Sequence, residues 1–255
     1  FEELKKSHHW GTSLPYMVSG SQSLPQKQVM EWIAKNTYSI DSIVTALKSQ
    51  SNASDNKPYP TFSPIKKYNS CVIVGGGPSP IDHQNALISY LNANPETCVI
   101  HASSKNAHAF DGILNPQFFC LIGNEGYRMS EVFNENLSQF NHTCVLPPSP
   151  REMGTFVPPA LVNMTQELSK ISFIDRHHDS PLILAIETAL NIGCNEINLV
   201  GYDGYSDNVT QRELELAKQN EEALLALTKK GTRASSLVNT IYKNLDIKSV
   251  YSMLP

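Results

Sequence analysis

The sequence has no apolar run that approaches the ~20 residues needed to cross a bilayer, and it has no excess of basic residues. Its 20 Lys and Arg residues stand against 24 Asp and Glu residues, which gives a net charge of −4 and a pI of about 6.1. A charge balance of this sign excludes the sequence-independent attraction to nucleic acid that a basic surface provides. We therefore expect a cytoplasmic protein whose partners include neither a membrane nor a nucleic acid.

Paired cysteine motifs are also missing. No Cys-x-x-Cys occurs, and four of the five cysteines fall inside short strand-like runs such as "SCVIV" and "FFCLI". An odd number of separately placed cysteines indicates reduced thiols that pack as small apolar side chains, not a disulfide framework. The five positions are Cys71, Cys98, Cys120, Cys144 and Cys194.

Two regions differ in pattern. Residues 25–48 have the apolar spacing of two short helices, and the polar, proline-rich residues 49–64 are typical of a linker with a boundary near residue 60. We therefore assign residues 1–60 to a helical segment with its linker. Residues 61–255 are assigned to an α/β domain.

The α/β assignment rests on alternation of short apolar runs with longer helical stretches. Runs such as "CVIVG" and "INLVG" are apolar throughout, as expected for parallel strands covered on both faces. The pattern predicts a Rossmann-like, mostly parallel sheet with helices on both faces. Strands are predicted at 71–75, 97–101, 118–122, 143–146, 171–174, 196–200 and 247–251, and helices at 80–92, 127–139, 181–192 and 211–229.

A glycine-rich turn follows the first predicted strand. Glycines let a ligand approach the backbone N–H groups, and the helix that follows presents its positive end, so the turn is a candidate phosphate or nucleotide site. The alternative is a tight strand-to-helix turn that binds nothing. It is neither Gly-x-Gly-x-x-Gly nor a P-loop. The residues are Gly75, Gly76, Gly77, Pro78 and Ser79.

A buried-type helix beginning at Pro181 marks a second candidate site, with Ser180 or Asp179 as its N-cap. Its first turn should reach the carboxyl edge of the sheet, where α/β domains bind ligands. A capping turn with surface histidines is the alternative. No metal is expected, because side chains of adjacent residues diverge. The polar residues before the helix that suit a phosphate or carboxylate are Arg176, His177 and His178.

Two further loops follow predicted strands. In "GYDGYSDN" the carboxylate of Asp203 suits a ribose or sugar hydroxyl, or the role of a base, although an Asp-Gly turn explains it equally. Tyr202, Tyr205 and Asp207 follow the same strand. In the loop after residue 101, the side chains that could form hydrogen bonds with a base or sugar are those of Ser103, Ser104 and Asn106. His108 in the same loop could equally be an ordinary solvated residue.

At these residues the chain resembles a known group. "VIVGGGPS", the polar loop after the second strand, and a buried helix leading to "EINLVGYDGY" are similar to the bacterial sialyltransferase and motility accessory factor group. The resemblance implies a Rossmann-like domain whose Gly-x-Gly-Pro-Ser loop holds a nucleotide-linked sugar. It implies phosphate contacts from Gly75, Gly77 and Ser79, nucleoside or sugar contacts from Ser103, Ser104 or Asn106, Ser180 at the buried helix, and Asp203 in the pocket floor.

The chain departs from that group at two points. The sialyltransferases carry Asn where this chain has Gly76, and they place a catalytic histidine after the Gly-x-Asp motif, whereas the last histidine here is His178. The second departure argues against sugar transfer by that group's mechanism. The remaining candidates for a base are Asp203 and His178.

The N-terminal residues resemble a different family. "HHWGTSLPYMVSGSQSLPQKQVMEWI" is similar to the segment after the barrel in aldolases of the 4-hydroxy-2-oxovalerate and hydroxymethylglutaryl-lyase group. This resemblance implies that the chain is the C-terminal part of an aldolase, a lyase whose catalytic, metal-using barrel lies outside it and would be its partner. Homo-oligomer formation is left open.

Three hypotheses follow. The preferred one is a nucleotide or nucleotide-sugar binding module appended to an aldolase of surface-polysaccharide biosynthesis, with that nucleotide as its only expected cofactor or ligand. The second is a glycosyltransferase or a pyrophosphokinase-like phosphotransferase that uses the same pocket. The third is a structural assembly domain with a degenerate pocket, since a fold alone does not determine function.

Overall fold

The computed structural model describes residues 59–151, 155–205 and 209–254. The helices predicted within residues 25–48 lie outside the described residues, and the boundary near residue 60 stays a prediction. The strands, in chain order, are β1 (Ser70–Val74), β2 (Thr97–His101), β3 (Gln117–Cys120), β4 (Thr143–Leu146), β5 (Thr165–Glu167), β6 (Glu196–Val200), β7 (Arg233–Ser236) and β8 (Asp246–Ile247).

These eight strands form one sheet in the order β5-β4-β3-β2-β1-β6-β7-β8. Every neighbouring pair is parallel; β1, for example, pairs residue by residue with β2 on one side and β6 on the other. The helices that connect the strands are α1 (Ser79–Asp82), α2 (Gln84–Ala93), α3 (Glu125–Phe133), α4 (Pro181–Ile192) and α5 (Gln211–Lys229), with 3₁₀ segments at Ser104–Phe110, Asn134–Gln139, Pro159–Met164 and Val250–Met253.

Helices cover both faces of the sheet, which confirms the predicted Rossmann-like fold class. One face packs against α4 and α5, and the other packs against α2, α3 and the 3₁₀ segment that follows β2. Helix α4 is buried along nearly its whole length and ends at Gly193, whose φ of 98° suits a residue without a Cβ. Helix α5 begins with a capping box between Thr210 and Glu213. No helix within the described ranges has the length and apolar character of a bilayer crossing.

The predicted strand at 171–174 is wrong. This apolar segment, "ISFI", crosses from β5 towards α4 without pairing with the sheet. The buried carboxylate of Glu187 in α4 accepts hydrogen bonds from the Ser172 N–H at 2.8 Å and from its hydroxyl at 3.0 Å. A side chain of α4 therefore accepts the hydrogen bond that the Ser172 N–H would otherwise have donated to a neighbouring strand. The fifth strand of the sheet is β5, which lies before this segment in the sequence.

The end of the chain also differs from the prediction. The run 247–251 contains only the last residue of β8 and then turns into a 3₁₀ segment. Strand β7, "RASS", was not predicted because it has none of the branched or aromatic residues that mark strands in a sequence. Its serine side chains are buried, and the Ser235 hydroxyl donates to Asn198 Oδ1 of β6 at 2.9 Å.

The strand order places a topological switch between β1 and β6. From β1 the chain moves outward through β2, β3, β4 and β5, and it then returns through α4 to β6 on the other side of β1. Loops that leave the carboxyl ends of β1 and β6 therefore run to opposite sides, which is where open α/β sheets bind ligands. The carboxyl ends of β2, β3 and β4 lie along the same edge of the sheet, with neighbouring strands about 4.8 Å apart.

One buried histidine makes the core sensitive to acid. His101, at the end of β2, is fully buried, stacks on Phe119, and its Nε2 lies 2.8 Å from Gln117 Oε1. Burial lowers the pKa of His101 from 6.5 to about 4, mainly because the charged imidazolium loses its hydration. Between these two values the unfolded chain binds a proton that the native state does not bind.

We therefore expect the free energy of unfolding to be highest above pH 6.5 and to fall as the pH approaches 4. Over that interval the His101 contribution amounts to about 3 kcal/mol. His101→Gln removes the titration while keeping an amide next to Gln117. Urea unfolding at pH 7 and at pH 4 should show a smaller loss of stability for the variant than for the wild-type chain; equal losses would contradict this assignment.

Candidate functional site

The turns after β1 and β6 meet at the switch point and are joined by hydrogen bonds. The Gly75 N–H donates to Val200 O at 2.8 Å, and the Gly77 N–H donates to Gly201 O at 2.9 Å. Gly201 itself has a φ of 78°. A Cβ at Gly75 would overlap the Gly201 carbonyl and the Tyr202 ring. The two backbones approach this closely because neither position carries a side chain.

Ser79 and Asp203 complete this junction. The Gly201 N–H donates to Ser79 Oγ at 2.9 Å, so the buried Ser79 hydroxyl links α1 to the end of β6. The Ser79 N–H lies 3.4 Å from Asp203 Oδ2. A Cβ at Gly77 would overlap the same carboxylate oxygen. The predicted site residues Gly75, Gly77, Ser79 and Asp203 are thus brought together, with the carboxylate against the glycine turn.

The loop after β2 holds the other side of the glycine turn. The buried Asn106 amide donates to Gly75 O at 3.0 Å and to Gly77 O at 2.7 Å. The Lys105 ammonium donates to the remaining carbonyl, Gly76 O, at 3.0 Å. All three glycine carbonyls are therefore bound from the β2 side. Asn106, predicted to contact a nucleoside or sugar, instead fixes the conformation of the turn.

A buried carboxylate anchors that loop in turn. Glu125, the first residue of α3, accepts hydrogen bonds from the N–H and the hydroxyl of Ser104, both at 3.0 Å. It forms an ion pair with Arg128, whose guanidinium also donates to Ser103 Oγ at 3.2 Å. Burial raises the pKa of Glu125, and the Arg128 charge and the Ser104 hydrogen bonds oppose that shift.

Three residues of this site were missed by the sequence analysis: Lys105, Glu125 and Arg128. The loop after β3, "GNEGYR", has no glycine motif or histidine that would single it out. The signal available was its position, since it follows a buried strand at the carboxyl edge. Ser104 is buried and committed to Glu125, whereas Ser103 is partly exposed beside Arg128.

The hydrogen bonds show which N–H groups of the glycine turn are already used by the fold. The N–H groups of Gly75, Gly77 and Ser79 are directed to Val200, Gly201 and Asp203. Among the described residues, the Gly76 N–H has no hydrogen-bond partner. A Cβ added at Gly76 would meet nothing closer than Ser103 Oγ at 3.6 Å, and Lys105 Cδ lies at 4.0 Å. The Gly76 N–H is therefore the one N–H of this turn that the described residues leave unpaired, and Gly76 adjoins the loop after β2.

A cavity of about 520 Å³ lies farther along the same edge. Its walls come from Ile122 after β3, from Pro147–Arg151 after β4, and from Asp175–Asp179 before α4. Arg151 is buried and forms an ion pair with Glu167 at 2.7 Å. Arg176 lies 3.3 Å from Glu222 of α5. A volume of this size is typical of small-molecule sites.

The two histidines before α4 turn to different partners. His177 Nε2 lies 3.0 Å from Glu222 Oε2, and this hydrogen bond lowers the pKa of the Glu222 carboxyl. His178 Nε2 lies 3.1 Å from the carbonyl oxygen of Ile174. Because a carbonyl only accepts, the Nε2 of His178 carries the proton and its Nδ1 carries the lone pair.

The remaining predicted residues are placed as follows. Ser180 is buried at the N-cap position of α4, its side chain makes no capping hydrogen bond, and Pro181 is the first helical residue. Tyr202 packs on the glycine turn, and burial raises its pKa. His108 is exposed and binds Asp111 and Val132 O. Asp207 lies outside the described residues.

The junction predicts a contrast between two neighbouring glycines. Gly77→Ala should lower the free energy of unfolding by about 1–3 kcal/mol, since the new methyl group overlaps Asp203 and Gly201. Gly76→Ala is the matched control, because its methyl group makes ordinary contacts. Alanine also lowers the conformational entropy of the unfolded chain, which raises the free energy of unfolding by up to ~1 kcal/mol. Urea denaturation measures both, and equal costs would contradict the described junction.

Comparison with known proteins gives distant similarity at the level of structure. No family model and no curated protein matches the chain, so the aldolase resemblance gains no support from them. A solved structure, the MAf glycosyltransferase from Magnetospirillum magneticum AMB-1, matches with 17% identity and a TM-score of 0.49. The match covers 78% of this chain but only 36% of that protein. At this distance the activity of the neighbour does not transfer to the present chain.

Proposed function

We propose that this domain binds a sugar nucleotide at the carboxyl edge of its sheet and transfers the sugar, as a glycosyltransferase does. The observation that carries the proposal is the Gly76 N–H, which has no hydrogen-bond partner among the described residues. Close to Gly76 lie the Lys105 side chain, the Ser103 hydroxyl, and the Arg128 guanidinium that contacts this hydroxyl. These are the groups that bind phosphate oxygens through charge-assisted hydrogen bonds.

The local charge favours an anion on this side of the turn. Lys105 supplies a positive charge that no carboxylate pairs with among the described residues, whereas the charge of Arg128 is paired with Glu125. A phosphate placed beside Gly76 also reaches a backbone N–H that the fold does not use. The nucleotide phosphates are therefore assigned to the β2 side of the glycine turn.

Asp203 divides the edge into two chemically different halves. Its carboxylate lies against Gly77 and the Ser79 N–H on the β6 side. A phosphate in contact with this carboxylate would be repelled, whereas a hydroxyl group would donate to it. Asp203 is therefore assigned to a hydroxyl of the ribose or the sugar. Phosphate contacts from Gly75, Gly77 and Ser79 remain a sequence-based prediction.

Sugar transfer is preferred over binding alone because the edge offers room for a second substrate. A binding module needs only the groups around Gly76, but the cavity at β3, β4 and α4 lies on the same edge and is separately walled. This reverses the preference expressed from the sequence, where the lack of a histidine after His178 favoured a module. The link to an aldolase depends on residues outside the described part and stays a prediction.

Binding should depend on Lys105. In a titration of the chain with CMP, CDP, UDP, GDP and ADP and their sugar conjugates, we expect one nucleotide series to bind. Lys105→Ala should weaken that binding by about 10-fold or more, the value of one charge-assisted hydrogen bond to phosphate. Calorimetry measures the dissociation constants, and thermal unfolding provides an independent measure of binding.

Lys66→Ala is the matched control, because Lys66 is also an exposed lysine in contact with an acceptor, Glu96, but it precedes β1 at the opposite edge of the sheet. It should leave nucleotide affinity unchanged. The proposal is wrong if none of these nucleotides binds. The assignment of the phosphate site is wrong if both lysine variants bind equally well.

A further inference from the structure

The cavity between the loop after β4 and the start of α4 is lined by residues other than those of the glycine turn. We propose that it is the acceptor site, that it takes a carbohydrate hydroxyl, and that His178 is the base that receives the hydroxyl proton. This inference rests on the proposed sugar-nucleotide function. It concerns different residues from the phosphate site, and the two are tested separately.

The wall chemistry suits a neutral, hydroxyl-rich ligand. Guanidinium groups of Arg151 and Arg176 and carboxylates of Asp175 and Asp179 face the same cavity. Both arginines are already paired with carboxylates, Glu167 and Glu222 respectively, which reduces their attraction for a phosphate. The cavity wall thus has both hydrogen-bond donors and acceptors, and it suits a sugar ring because each hydroxyl group of the ring can donate and accept.

The apolar part of the wall fits the same ligand. Three prolines, at positions 147, 148 and 150, and Ile122 line the cavity beside the charged groups. Sugar rings present C–H groups on their faces and hydroxyls at their rims, so a site that binds them needs apolar contact and polar contact together. Ligand sites generally combine the two in this way. A nucleobase would instead favour an aromatic or broadly apolar slot, and the described residues that line this cavity include no Phe, Tyr or Trp.

His178 is oriented for proton acceptance. The Ile174 carbonyl accepts a hydrogen bond from Nε2, His178 lines the cavity, and Nδ1 has no hydrogen-bond partner among the described residues, which leaves it for a hydroxyl of the acceptor. Orientation of an imidazole through its second nitrogen is the usual way in which a histidine base is fixed. His177, its neighbour, is instead directed to Glu222 on α5. The adjacent histidines therefore have separate roles.

The spacing along the edge joins the two sites. Gly76 follows β1 and Ile122 follows β3, two strands away, which corresponds to about 10 Å. A nucleotide bound beside Gly76 through its phosphates can therefore extend its sugar along the edge towards the cavity. The acceptor hydroxyl is then presented from the opposite side of the sugar.

The reaction balances without a further reactant. The acceptor oxygen forms a bond to the anomeric carbon of the donor sugar as its proton passes to His178 Nδ1. The bond between the anomeric carbon and the phosphate oxygen breaks, and the nucleotide leaves with the electron pair. His178 returns its proton to solvent or to the released phosphate. General base catalysis of this kind contributes about 10²–10⁴-fold to rate.

Acceptor binding is tested without any nucleotide. Saturation-transfer NMR with a panel of methyl glycosides should detect binding to the wild-type chain. Thr155→Trp places an indole on the cavity wall and should abolish the signal, whereas Met164→Trp adds the same group at an exposed position outside the cavity and should preserve it. No glycoside signal, or an equal signal in the two variants, would overturn the acceptor site even if nucleotides bind.

The base is tested with the nucleotide sugar that binds best and the glycosides that bind. His178→Gln keeps an amide that can donate to the Ile174 carbonyl but has no basic nitrogen. It should lower kcat at least 100-fold and leave donor and glycoside affinities unchanged. His142→Gln, at the opposite edge of the sheet before β4, should retain activity. Equal turnover in both variants, or no turnover in the wild type, would overturn His178 as the base.

Discussion

The arrangement of this domain depends on the backbone contact between the turn after β1 and the turn after β6. Gly75 and Gly77 donate to the carbonyls of Val200 and Gly201, and the Ser79 hydroxyl accepts the Gly201 N–H. Only residues without a Cβ allow this approach. The contact uses the N–H groups that a phosphate would ordinarily meet at such a turn, so the Gly76 N–H is the one that the described residues leave unpaired.

The residues around Gly76 hold the glycine turn in this conformation. The turn is fixed on its β2 side by Asn106 and Lys105, and the loop that carries them is fixed in turn by the buried Glu125. Buried polar networks of this kind stabilise one conformation only when each member is satisfied. The loss of Glu125 would therefore alter the conformation of the glycine turn, because Glu125 holds Ser104 in the loop whose Lys105 and Asn106 bind the turn.

The sequence predicted which loops meet at the carboxyl edge better than it predicted the contacts that their side chains make there. Runs of apolar residues in β1 and β6 gave the parallel sheet, and parallel strands necessarily bring their following loops to one edge. The same reasoning failed where local pattern and tertiary context disagree: "ISFI" is apolar but is satisfied by Glu187, and "RASS" is polar yet buried as β7. Lys105 and Arg128 could not be chosen from among the other basic residues, because their role depends on which loops adjoin.

The charges along the edge then assign one role to each part of a donor and an acceptor. Lys105 and Arg128 lie on the β2 side of the glycine turn, Asp203 lies on the β6 side, and the paired arginines lie in the cavity beyond β3. A polyphosphate is favoured only at the first, and hydroxyl groups are favoured at the other two. In the proposed function, a sugar nucleotide matches this sequence of anionic and hydroxylated parts, and the acceptor hydroxyl lies in the cavity that His178 lines. The separation of charge thus favours one direction of binding along the edge, with the phosphates beside Gly76 and the transferred sugar towards the cavity.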